Sequence, residues 1–228
     1  MRANAVVAVI DDDPQQRAVT RELLITAGFK TWEPSGPYQN LARAVTDVAG
    51  EASAAVCDQR LRPRNFAAFD GAELAAQLFV KRIPTVLVSQ YIGREEYDMS
   101  IRRWRDKIPV VLDRDQATPA ALKRGLEIVK EEIAHVVAPS RRPHRTLVRF
   151  ESAEHRPDGD WAHLVVPGWR AEETVTVPVD VLPRGIRGRL RKGVHFFASV
   201  NLGAATAADL FFTDFEPAPD PDPNDGLT

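Results

Sequence analysis

"AVVAVIDDDPQQRAV", residues 5–19, runs from a short apolar segment, Val6–Ile10, straight into three acids and a proline. Five apolar residues in a row suit a strand buried on both faces. Pro14 stands where a first-turn proline is tolerated. Val19, Leu23, Leu24 and Ala27 then recur at helical spacing until Gly28 stops the helix. Strand, acids and helix follow in that order, and the next hundred or so residues repeat the alternation. Phe29–Glu33 reads as a second strand and Tyr38–Val48 as a helix. Ala54–Cys57 is an apolar run that again ends in an acid, Asp58, and Ala72–Lys81 is helical. "IPTVLVSQ" is the clearest strand and ends at Ser89. Arg94–Arg105 is an amphipathic helix, "IPVVLD" a fifth strand, and Thr118–Val137 a last helix with Thr118 as N-cap and Pro119 at its first position. Five such units predict an α/β fold, a five-stranded doubly wound parallel sheet with helices on both faces.

After Ala138 the pattern changes. Residues 1–138 form the α/β domain, 139–145 read as a proline- and arginine-containing linker, 146–216 as a β-rich domain and 217–228 as a disordered acidic tail. The β-rich part holds five strand-like runs, "TLVRFE", "WAHLVV", "ETVTVPVDV", "HFFASVNL" and "DLFFTDFE", punctuated by Gly and Pro. This spacing predicts a small all-β barrel or sandwich and leaves the two open. It shows no helix pair of the kind that enters a DNA groove.

The net charge of −2 does not advertise a nucleic-acid binder as a whole. One cysteine, Cys57, allows no internal disulfide and fits a reducing compartment. The start lacks a signal peptide's features, and no run approaches the ~20 apolar residues of a membrane helix, so a cytoplasmic protein is expected. The second half shows no Gly-rich phosphate loop, nucleophile elbow or zinc spacing, so an enzymatic output is not expected.

In an open parallel sheet, ligands sit beyond the carboxyl ends of the strands. Asp11 and Asp12 lie at that end of the first strand, Asp58 of the third and Ser89 of the fourth. Three carboxylates there repel one another. A divalent cation removes the repulsion, and Mg²⁺ takes a few carboxylates together with water and phosphate oxygens. The cluster therefore reads as a metal site that receives a phosphoryl group, with Asp58 as the nucleophile.

At these residues the sequence resembles a known family. "VIDDDP", "VCDQRL", "VLVSQ" and "VVLDRD", in order, make Ala5–Val137 similar to the receiver domains of two-component response regulators. The resemblance implies Asp58 as phosphoacceptor, Asp11 and Asp12 as the acidic pair, and the backbone carbonyl of Arg60 as a further metal ligand. It implies Ser89 as the switch hydroxyl, a sensor histidine kinase as partner, and a homodimer through the face of the fourth helix, fifth strand and fifth helix. Family members carry a lysine at the end of the fifth strand. Here the place falls to Asp113 or, one step along, to Arg114, a possible phosphate contact. The aromatic switch position is taken by Val110 and Val111, and the glycine behind the acid comes late, at Gly71, after the basic "RPRN". The alternative is a pseudo-receiver that takes no phosphate and serves as a scaffold.

"PRGIRGRLRKG" concentrates Arg184 to Lys192 in one turn, where Arg187, Arg189, Arg191 and Lys192 could meet a nucleic acid, with Phe196 and Phe197 for stacking. A solvated turn with core phenylalanines is the favoured reading of that stretch.

Overall fold

A computed structural model describes residues 5–90 and 95–219, without the side chains of residues 95–98. The chain divides into two units after Ala138. The first alternates β1 (Val6–Ile10), α1 (Pro14–Thr26), β2 (Lys30–Trp32), α2 (Leu41–Glu51), β3 (Ala54–Asp58), α3 (Gly71–Val80), β4 (Thr85–Ser89), α4 (Glu95–Arg103), β5 (Val111–Asp113) and α5 (Pro119–Ile133). The sheet order is β2-β1-β3-β4-β5 with every pair parallel. The chain leaves β1 toward β2 and returns on the other side at β3. This reversal opens a crevice above the carboxyl ends of β1 and β3.

Alternation along the strands builds two cores. Ala8, Ile10, Ala55, Cys57 and Leu87 face α2 and α3, where Val45, Val48, Leu74 and Leu78 meet them. Val7, Val9, Val56, Val86 and Val88 face the other way, against Leu24 of α1 and Leu122 and Leu126 of α5. Truncating one of these buried leucines to alanine costs about 3 kcal/mol.

Local chemistry moves the helix ends. Asn40 caps α2 by accepting from the Arg43 N–H at 3.3 Å, so the helix begins at Leu41 and Tyr38 instead bridges Ala67. Helix α5 ends at Ile133, four residues short of the expected Val137, because the chain turns left-handed at His135 (φ 66°). The helical reading from Arg94 begins at Glu95; Arg94 lies outside the described residues.

The second unit holds β6 (His144–Arg156), β7 (Gly159–Val166), β8 (Arg170–Pro178), a short α6 (Arg184–Arg187), β9 (His195–Val200) and β10 (Phe212–Pro217). They form one antiparallel sheet in the order β10-β9-β6-β7-β8. All five strands and Ile186 of α6 send side chains into one core around Val148, Leu164, Val177, Phe196 and Phe212. The five strands form a single antiparallel sheet with β8 and β10 at its edges, where a sandwich would stack two sheets.

The stretch 139–145 is built into this unit rather than strung between domains. Residues Pro139–Arg141 make a 3-10 turn, β6 starts at His144, and Arg141 is buried with its guanidinium 4.8 Å from the Phe211 ring centre. The buried Asn201 ties the turn down, donating to the carbonyls of Ser140 at 3.1 Å and Asp209 at 3.0 Å. Of the acidic tail, residues 217–219 are described; 220–228 lie outside the described residues.

Candidate functional site

The strand ends bring the acids together. Register sets Ile10 beside Cys57, Asp58 beside Val88 and Ser89 beside Asp113. Beyond those ends lies a pocket of about 220 Å³ walled by Asp11, Asp12, Asp58, Arg60, Arg64, Arg114 and neighbours. One carboxylate oxygen from each of Asp11, Asp12 and Asp58 lies within 4.8 Å of the other two. Asp11 is 4% exposed and Asp58 8%, so two of the three charges have lost nearly all their water.

Backbone donors aim each acid. Asp58 Oδ2 accepts from the Arg60 N–H at 2.8 Å, Asp11 Oδ1 from Asp13 N–H at 2.9 Å and Asp12 Oδ2 from Arg64 N–H at 3.0 Å. Asp13, by contrast, is the N-cap of α1, accepting from Gln15 N–H at 2.8 Å, and pairs with Arg64 at 2.7 Å. The answer to three consecutive acids is thus two ligand-like carboxylates followed by a helix cap.

Arg114 supplies the cation that the sequence left between two positions. Its Nη2 bridges Asp58 Oδ1 and Asp11 Oδ2, the latter at 3.0 Å, and its Nη1 donates to Gln16 Oε1 at 3.1 Å. Its Nε–H is buried and finds no acceptor among the described residues. Asp113 turns aside to cap the next turn, accepting from Asp115 N–H at 3.0 Å. Arg114 is the guanidinium bonded to Asp11 and Asp58; with Asp13 included, four acids against Arg60, Arg64 and Arg114 leave the lining with one net negative charge. Burial first, then the charge of Asp11, pushes the Asp58 carboxyl up to about 6, against the pull of Arg114. Burial also raises Asp11. Burial works against the charge of Arg114, but the two carboxylates outweigh it and the guanidinium is held more firmly protonated.

These residues fit a hard divalent cation: three convergent oxygen donors from Asp11, Asp12 and Asp58. Among the described residues no other cluster of His, Cys, Asp or Glu does so. His155 and His163 have separate neighbours, Asp160 at 2.7 Å and Thr176 at 3.2 Å. Ser89 ends β4 fully buried, and it is not among the residues walling the pocket. Cys57 faces the opposite core, and burial raises its thiol well above the usual range.

Two residues support the Asp58 strand end: the late glycine, Gly71, and Gln59, which the sequence did not single out. Gly71, the first residue of α3, packs so closely that a Cβ there would lie 1.8 Å from the Asp58 carbonyl oxygen, and its N–H donates to the Gln59 carbonyl at 2.9 Å. The buried Gln59 accepts from Ala72 N–H at 2.9 Å, fastening α3 to the residue after Asp58. The late glycine therefore belongs to the site. The long loop before it is no loose insertion, because Leu61, Phe66, Ala67 and Phe69 are buried in the α2/α3 core.

The basic stretch is also placed. Arg189, Arg191 and Lys192 wall a groove of about 630 Å³ with His195, Phe197 and Pro217–Pro219; Arg187 is exposed outside it. Phe196 is a core residue and offers no stacking surface, whereas Phe197 is half-buried beneath the Arg145 guanidinium.

The parallel order β2-β1-β3-β4-β5 with acids at the β1 and β3 ends defines the class: the first unit has the receiver fold, and the second unit is not recognised. No protein-family model matches the chain, and no curated protein does. Among solved structures it is similar to the signal receiver domain of a modulated diguanylate cyclase from Desulfovibrio desulfuricans G20. That likeness has 20% identity and a TM-score of 0.46, and covers 58% of this chain and 98% of that one. A response regulator receiver domain protein from Clostridium thermocellum matches at 14% identity and a TM-score of 0.43, over 58% and 99%. A CheY-like receiver domain protein from Methanospirillum hungatei JF-1 matches at 16% and 0.41, over 58% and 96%.

Proposed function

We propose that the chain is a response-regulator-like signalling protein that takes a phosphoryl group on Asp58 from a sensor histidine kinase and signals through its β-rich unit. The observation that supports this most is the convergence of three carboxylates and one guanidinium beyond the carboxyl ends of a parallel sheet. A carboxylate oxygen of Asp58 attacks the phosphorus of a phosphohistidine. The new P–O bond forms as the P–N bond breaks, and the imidazole keeps the electron pair and takes a proton from water. Asp11, Asp12, Asp58 and the Arg60 carbonyl would hold Mg²⁺, which when bound supplies positive charge to the arriving phosphoryl oxygens. Arg114 stays hydrogen-bonded at the site and turns donors, its unpaired Nε–H among them, toward those oxygens. Ser89 then closes on the phosphoryl group, and the face of α4, β5 and α5 changes its dimer contacts. The protein works in the cytoplasm as a switch, not as an enzyme. Among the described residues no helix is long and apolar enough to cross a membrane.

A second reading is favoured by one contact. Arg114 already neutralises Asp58 and Asp11, as it would in a scaffold that takes no phosphate. Beryllofluoride with Mg²⁺ separates the two readings. The first expects a rise in thermal stability that Asp58→Asn abolishes; no rise in the wild-type chain leaves the scaffold.

A further inference from the structure

The second unit handles its cations in two ways. On the sheet, Arg145, Arg149, Arg156 and Arg170 each pair with an acid: Glu216, Glu151, Glu154 and Glu173. Along the turn from α6 to β9 the pattern stops. Arg184, Arg187, Arg189, Arg191 and Lys192 are all exposed, no acid stands among them in the sequence, and none makes an ion pair or side-chain hydrogen bond with a described residue. Five like charges within nine residues raise one another's energy, and beside a sheet whose four arginines are paired they stand open to a partner of opposite charge.

Three of the five, Arg189, Arg191 and Lys192, wall the groove, with exposed His195 between them and Phe197. The guanidinium carbon of Arg145 lies 3.7 Å from the Phe197 ring centre, and Glu216 holds that guanidinium at 2.9 Å. The result is a flat guanidinium, its charge balanced by Glu216, on the Phe197 ring that helps to wall a groove with three exposed cations. Arginine forks suit phosphate oxygens, and an arginine plane suits a nucleobase. A membrane is the poorer fit. Among the described residues the second unit exposes no large apolar side chain of its own, so it offers none to enter a bilayer.

We propose that this groove binds single-stranded nucleic acid, its phosphates on Arg189, Arg191 and Lys192 and a base against the Arg145–Phe197 stack. This gives the β-rich unit an output of its own, whether or not Asp58 is phosphorylated.

The test uses the full chain and a fluorescein-labelled oligothymidylate or oligouridylate of about twenty nucleotides, followed by anisotropy from about 50 to 200 mM salt. Binding is expected to weaken linearly in log salt with a slope of about 2, three phosphates at roughly 0.7 each. The triple change Arg189→Ala, Arg191→Ala, Lys192→Ala is expected to weaken binding at least tenfold at the lowest salt. Arg170→Ala, which removes a paired cation from the edge strand β8, is expected to leave it within twofold. Hydrogen-exchange protection of the Val148 and Leu164 amides, both in the second unit's core, checks that the triple variant is folded there, and Arg145→Ala, an exposed position, tests the stack with several-fold weaker binding. The proposal is overturned if the folded triple variant binds like wild type or if no binding is seen at the lowest salt. A duplex of the same length binding more tightly than the single strand also overturns it, as does binding to anionic phosphatidylserine vesicles that the oligonucleotide cannot displace.

Discussion

Replacing Asp58 by asparagine should stabilise the first unit at neutral pH, although it removes the residue on which the proposed chemistry turns. The carboxyl is held near 6, against 3.8 for an ordinary aspartate, chiefly by burial and by Asp11. A raised carboxyl favours the protonated form, so the native state binds the extra proton. Stability from this group is complete below about 4 and is lost as pH rises through about 6. The difference corresponds to about 3 kcal/mol. Asparagine mimics the neutral acid without its O–H donor, so about 3 kcal/mol is the ceiling on the gain at pH 7.5. Roughly half of it remains at pH 5, and it vanishes below about pH 4. Native-state hydrogen exchange of the Val9 and Val56 amides reads this unit alone. Protection in Asp58→Asn should exceed wild type by up to about a hundredfold at pH 7.5, with the gap closing as pH falls. A variant less protected than wild type at pH 7.5, or a gap independent of pH, would show that Asp58 is no buried, strained carboxylate.

Arg114→Ala leaves Asp11 and Asp58 facing each other without a cation and should cost about 2–3 kcal/mol by the same exchange measurement, with Mg²⁺ restoring part of the loss. Loss that Mg²⁺ does not relieve would argue against a shared cation site. Gly71→Ala puts a methyl group 1.8 Å from the Asp58 carbonyl oxygen and should destabilise the unit by about 3 kcal/mol; a thermal midpoint equal to wild type would refute the close packing. Changing Asp220, Asp222 and Asp225 to asparagine removes like charge from the sequence just past the groove wall at Pro219. Oligonucleotide binding should tighten several-fold in the anisotropy assay, and weaker binding would count against electrostatic recognition there.

What could be read from the sequence had a local cause. Val6–Ile10 and Thr85–Ser89 are apolar runs that only a doubly covered strand accommodates, and Pro14 and Thr118 mark helix starts by their own chemistry. The acids were legible because strand ends of a parallel sheet meet at one edge. What escaped depended on contacts distant in sequence. Whether Asp113 or Arg114 enters the pocket is decided by a 3-10 turn after β5, since one residue of rotation swaps a cap for a bridge. Gly71 was legible as the glycine behind the acid, but not how closely it packs on Asp58 across the intervening loop. The stretch 139–145 looks like a linker by its prolines and arginines, yet Asn201, some sixty residues on, holds it. A barrel and a sandwich share the same strand spacing, and the pairing of β6 with β9, which joins the five strands into one sheet, is not legible in it.

The most direct test is the intact mass of the chain after incubation with acetyl phosphate and Mg²⁺. One phosphoryl group, localised to Asp58 and absent from the Asp58→Asn chain and in chelator, is the result expected. An unmodified wild-type chain, or a phosphoryl group carried elsewhere, would contradict the assignment of the pocket as a phosphoacceptor.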